Sequence, residues 1–116
     1  MAFRLTARAR HDLHMVLKYS VQKHGHDAAD RYELLLTTAM EAVGNQPLLP
    51  GSRAVTRRRG VRTYAIARSR LLLPKDQRVM KPVHTLVYRH ADDGVAEILA
   101  IIGDSYPAAR VPIPRQ

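Results

Sequence analysis

Four side chains in the C-terminal third, His84, Arg89, Tyr106 and Arg110, are of the kinds that move protons and hold anionic charge. His84 and Arg89 bracket the stretch HTLVYR, and Tyr106 and Arg110 follow in SYPAAR. In a small sheet these four are candidates to converge near an open face. Plainer readings stand beside that one. His84 and Arg89 also read as a hydrogen-bonding pair at a strand end, Tyr88 as core, and Tyr106 as a packing residue that anchors the tail.

The other titratable groups point away from metal and cofactor chemistry. His11 and His14 are one helical turn apart, but no third ligand is evident and Arg8 and Arg10 are near in sequence. They read as solvated helix residues. His24 and His26 flank Gly25 at the end of a helix, where a partly protonated imidazole suits the negative end of the dipole. There is no cysteine, which excludes a disulfide scaffold and any thiolate metal site. PGSRAV has no Gly-Lys-Ser and is not a phosphate loop. No cofactor and no metal are expected.

Charge is the strongest compositional signal. The 116 residues carry a net charge of +9. Between Arg53 and Lys81 there are ten Lys and Arg, opposed only by Asp76. Cations so crowded repel one another unless a polyanion or an acidic protein offsets them. A solvated basic face and a docking surface both fit. The hydrophobic share of 46% argues against disorder, and the length is that of one domain with a modest core. No apolar run approaches a membrane span, and none follows Met1, so the chain reads as soluble, unexported and cytoplasmic.

The elements that must position these residues follow from periodicity. AFRL, residues 2–5, alternates as a short strand. Thr6 is placed to cap a helix over 7–24, with Gly25 as its left-handed stop. Asp27 is placed to cap a second helix, whose stripe runs Ala28, Tyr32, Leu35, Leu36, Ala39, Met40, Val43 and stops at Gly44 and Pro47. The short link makes the two an αα-hairpin. A short strand or extended lead-in then precedes Gly60, and a longer strand runs from Val61 to about Ser69. Residues 71–82 are a long connection. Strands at 83–90 and 95–102 flank a turn with Asp93-Gly94. The expectation is an α+β fold of order β-α-α-β-β-β, its helical hairpin on one face of a small, mostly antiparallel sheet and the other face partly open. Residues 1–104 form a single domain, and 105–116 an irregular, Pro-rich tail.

In this order the chain resembles the ParE/RelE superfamily of toxins from bacterial toxin–antitoxin modules, closest to the ParE (plasmid stabilisation) branch. The resemblance rests on Ala9, Asp12, Leu13, Val16, Tyr19, Gly25, Ala29 and Tyr32, on Gly60-Val61-Arg62, and on HTLVYR at 84–89. It departs in the long interval from Thr63 to Val83 and in the segment IIGDSYPAARV. The RelE branch cleaves messenger RNA on the ribosome without a metal. Its penultimate-strand arginine falls here at Thr85, and Asp104 follows the last strand, where a carboxylate would repel phosphate. A ribonuclease here would have to recruit His84, Arg89, Tyr106 and Arg110.

The ParE branch instead implies a protein that binds and poisons DNA gyrase and catalyses nothing itself. Target contacts are then expected at Arg57, Arg58, Arg59 and Arg62, with Arg89 and Arg110. The resemblance also implies a cognate antitoxin, ParD-like, with an acidic C-terminal segment that orders on binding, and operator DNA contact through that complex. The groove between the helices and the sheet is its expected track. Met15 and Leu34, off the main stripes, are candidate anchors or peripheral core. A family member that binds only antitoxin and DNA is the third alternative.

Overall fold

The protein is described by a computed structural model over residues 2–46, 48–103 and 105–114. Pro47 and Asp104, which figure in the expectations above, lie outside the described residues. Strand β1 (Phe3–Leu5) leads into helices α1 (Ala7–His24) and α2 (His26–Asn45). Strands β2 (Arg53–Ala54), β3 (Val61–Ala65), β4 (Thr85–His90) and β5 (Ala96–Ile102) follow. The sheet order is β1-β5-β4-β3-β2; β1 runs parallel to β5 and the other pairs are antiparallel.

The helical hairpin forms where the periodicity places it. The Thr6 hydroxyl accepts the Ala9 N–H at 3.1 Å and caps α1. Gly25, at φ +90°, ends α1 and begins α2 at once. Asp27 is therefore not the cap of α2. It lies in the first turn, where its carboxylate faces the positive end of the helix. Gly44 does not stop α2 either. It is buried one residue before the end, against the Ala2 carbonyl, where a Cβ would sit 2.8 Å from that oxygen.

One face of the sheet packs on the helices through Leu35, Leu36, Ala39, Tyr64, Leu86, Tyr88 and Ile98. The opposite face is not open. Val61, Val87, Leu99, Ala100 and Ile102 are covered there by Val111, which is fully buried, with Ala108 beside it. The C-terminal segment is therefore the second layer. Arg58 holds it by donating to the carbonyls of Ala108, Ala109 and Val111, all within 3.2 Å, and Arg89 donates to the Pro114 carbonyl.

Strand β3 ends at Ala65, four residues short of the expected Ser69. Ala65 pairs with Thr85, the first residue of β4, and the Ile66 N–H still donates to the His84 carbonyl at 3.2 Å, but Pro82 further on has no N–H to extend the ladder. Beyond that bond the backbone turns into a 3₁₀ helix, Ile66–Leu72, which sends Ile66 and Ser69 into the core. The buried Ser69 hydroxyl meets the Tyr64 hydroxyl at 2.9 Å. The connection that follows is braced by its own arginines: Arg70 Nε donates to the Val79 carbonyl and Arg78 Nε to that of Leu73.

Strand β5 carries a bulge. Tyr88 pairs with Ile98 but Val87 pairs with Ala100, so Leu99 is the extra residue. The backbone groups this leaves outside the ladder are taken up by α1 and its cap. The Thr6 hydroxyl donates to the Leu99 carbonyl, and Asp12 Oδ2 accepts the Ile101 N–H at 3.0 Å. Among the described residues no helix is long and apolar enough to cross a membrane.

Candidate functional site

Two surfaces stand out from this frame. The first is a groove of about 540 Å³ between α1, α2 and residues 78–84. Val16 and Tyr32 form its floor, from the inner stripes of the helices. Its rim is apolar and exposed: Tyr19 is 60% and Met80 81% accessible, with Val83 beside them. Soluble proteins seldom gather such side chains around a cleft without a partner for them. Among the described residues the charged lining consists of Arg31, Arg78 and Lys81, with His24 and His84 as further titratable groups and no carboxylate.

At the inner end of the groove the Tyr32 hydroxyl and His84 Nδ1 are 2.6 Å apart, their rings meet edge to face, and the Val83 N–H donates to the same hydroxyl. This ties α2 to the start of β4. Val16, Tyr19, Tyr32 and His84, scattered through the sequence motifs, thus come together here. Met15 and Leu34 are exposed but lie outside the lining, one helical turn from Tyr19 and from Arg31 respectively. Sequence reasoning missed Met80, Lys81 and Arg31 as parts of one site. The available signal was the apolar pair Val79-Met80 set between Arg78 and Lys81.

The second surface is the tip of the β2–β3 hairpin. Residues 54–60 outline a shallow concavity there. Arg57 takes a left-handed backbone, φ +65°, at its turn. The four arginines expected to act together divide by role. Arg58 clamps the C-terminal segment, and Arg62 donates to the hydroxyl and carbonyl of Ser52. Arg57 and Arg59 are exposed.

The residues weighed for acid–base chemistry are engaged separately. His84 meets Tyr32, whereas Arg89 is paired with Glu97 at 2.7 Å, so the two are not a strand-end pair. They stand at opposite ends of β4, roughly 16 Å apart at the rise of an extended chain. Tyr106 lies under the Arg8 guanidinium, 5.1 Å from its ring centre. Contact with the Tyr106 hydroxyl, foremost, holds the Arg8 pKa above its ordinary value; Asp12 adds to this against the cost of desolvation. Arg110 is exposed in the 3₁₀ turn Ala108–Arg110. His11 and His14 lie on α1, and among the described residues no group of three or more potential ligands is placed to hold a metal.

A family model described as the ParE toxin of the type II toxin–antitoxin system parDE matches residues 3–105. Among solved structures, a chain titled "Chromosomal ParDE TA system from P. aeruginosa" aligns with a TM-score of 0.62 over 89% of this chain and 95% of that one. At 17% identity, that likeness is one of fold. No curated protein matches at a significant level.

Proposed function

The chain belongs to the ParE toxin family of type II toxin–antitoxin systems, and from that premise we propose that it acts in the cytoplasm by binding and poisoning DNA gyrase, without catalysing a reaction itself. The observation that carries this reading over RNA cleavage is the dispersal of His84, Arg89 and Tyr106 onto separate partners, while Arg57 and Arg59 stand exposed at a hairpin tip. Positioned acid–base groups are what strand scission requires; exposed guanidiniums suffice to hold an anionic partner. Arg110 remains a candidate target contact. Arg89, paired with Glu97, does not. In a cleavage assay with purified gyrase and supercoiled DNA, wild type should accumulate cleaved DNA. The Arg57→Ala/Arg59→Ala variant should need about ten times more protein for the same effect. Wild type that leaves gyrase untouched rejects this target, and a variant as potent as wild type removes the tip from the contact.

We further propose that the cognate antitoxin neutralises the protein by laying an acidic, apolar-anchored C-terminal segment in the groove. The exposed rim of Tyr19, Met80 and Val83 would take its apolar side chains, and Arg31 and Lys81 its carboxylates. An occupant continuing along the helices would reach Met15 and Leu34. Met80→Asp puts a like charge against such a segment on a residue that contributes little to the core. It should weaken affinity for the co-encoded antitoxin about tenfold in calorimetry, with the unfolding midpoint unchanged. Undiminished affinity would place the antitoxin elsewhere.

A further inference from the structure

Between Glu41 and Asp76 the sequence has no acidic residue and eight Lys or Arg. The structure sorts these cations. Arg58, Arg62 and Arg70 spend their donors on carbonyl and hydroxyl groups of the protein. Arg53, Arg57, Arg59 and Lys75 are exposed, as is Arg68. Among the described residues the ion pairs all lie elsewhere, at Arg4, Arg8 and Arg89. Three of the exposed arginines sit on one short ribbon: Arg53 on its edge strand, Arg57 and Arg59 at its tip.

The ribbon is built to present them. Arg62, donating to Ser52, ties its two strands together at the base, and Arg58 pins it to the C-terminal segment from below. The turn is closed by hydrogen bonds from Arg58 N–H to the Val55 carbonyl and from Val61 N–H to the Arg58 carbonyl. Arg57 lies inside the turn closed by the first of these bonds, at positive φ, a backbone that a non-glycine residue adopts at a cost. The concavity lined by Val55, Arg57, Arg58 and Arg59 has a volume of about 410 Å³, and none of the described residues that line it is a carboxylate.

We propose that this ribbon tip is a contact for the backbone phosphates of duplex DNA, made by the protein itself and independent of sequence. Dense cations with no internal counter-charge gain most from a polyanion whose condensed counterions they displace. What residues 53–60, RAVTRRRG, offer are guanidiniums, which hold phosphate oxygens whatever the sequence they belong to. The shape favours B-form DNA over duplex RNA. A major groove about 12 Å wide admits a two-stranded ribbon, whereas the deep, narrow major groove of A-form RNA does not admit side chains. The inference deepens the target reading above but stands without gyrase.

Fluorescence anisotropy with a fluorescein-labelled, mixed-sequence DNA duplex tests it, titrated over a series of salt concentrations with no gyrase present. Wild type should bind at low salt with a steep loss of affinity as salt rises. Arg57→Ala/Arg59→Ala should bind about tenfold more weakly at low salt and lower the salt slope by about 2, near 0.9 for each phosphate no longer neutralised. Lys18→Ala/Lys23→Ala removes the same charge from exposed positions of α1 and should keep the wild-type slope. Equal losses in the two variants would reduce the effect to net charge and overturn the proposal. No binding by wild type, or tighter binding of a single-stranded RNA or of polyglutamate, would overturn it too. Duplex binding that follows this pattern, beside a negative gyrase cleavage assay, would leave the ribbon assignment standing and remove gyrase alone.

Discussion

Val111→Asp is expected to lift the C-terminal segment off the sheet and to cost about 3 kcal/mol of stability. Val111 is fully buried against Val61, Val87, Leu99 and Ile102, and it is the apolar peg of a segment otherwise held by guanidinium-to-carbonyl hydrogen bonds. Burying a side chain of this size is worth about 1.5–3 kcal/mol, and bonds from a charged donor add to it, discounted because Arg58 is half-exposed. The loss has a ceiling. A carboxylate forced into that cluster would cost more than the segment gains by docking, so the segment detaches and the penalty stops at its docking free energy. Urea unfolding should show a lower midpoint, and an apolar dye should bind the uncovered face under native conditions. An unchanged midpoint with no dye binding would mean that the sheet does not need this layer.

Asp12→Ala should cost a similar amount, about 3 kcal/mol, by a different route. The bulge at Leu99 takes the Ile101 N–H out of the ladder, and Asp12 accepts it at 3.0 Å. The same carboxylate receives Arg8 Nε at 3.0–3.1 Å, and Arg8 in turn covers Tyr106. Removal leaves an amide beside the core without an acceptor, worth about 1–3 kcal/mol, and frees the arginine. Asp12→Asn separates the two effects, since its carbonyl still accepts from Ile101 while the ion pair is lost. It should retain more than half of the lost stability in thermal or urea melts. If Asn proves as damaging as Ala, the ion pair and not the bulge amide is what Asp12 serves.

Much of this architecture was legible because its signals are local. The stripe from Ala28 to Val43 fixes α2, the Thr6 hydroxyl marks the start of α1, and Asp93-Gly94 locates the β4–β5 turn. What the sequence hid depends on distant partners. The residues Ile66–Ser69 look as fit for a strand as Val61–Ala65, and β3 ends because its ladder finds no partner past His84. The prolines near Val111 announce irregular backbone but not its docking, which requires Arg58, far earlier in the chain. The division of the arginines into braces and presented groups is decided by carbonyl oxygens, and those have no residue-type signature. The groove was anticipated in outline from the helical pair, but its outer wall comes from residues 78–84, which read only as a connection and the start of a strand.

The parallel pairing of β1 with β5 also fixes when the molecule can become whole. Phe3, Arg4 and Leu5 find their ladder partners at Ala96, Glu97 and Ile98, at the other end of the chain. Contacts so remote in sequence slow folding, because a long loop must close before they form. During synthesis the helical hairpin can assemble early, yet its seat on the sheet is missing until β5 has been made. A nascent copy should therefore pass through a stage with exposed apolar helix faces, open to capture by a chaperone or by a waiting antitoxin before it can meet any target.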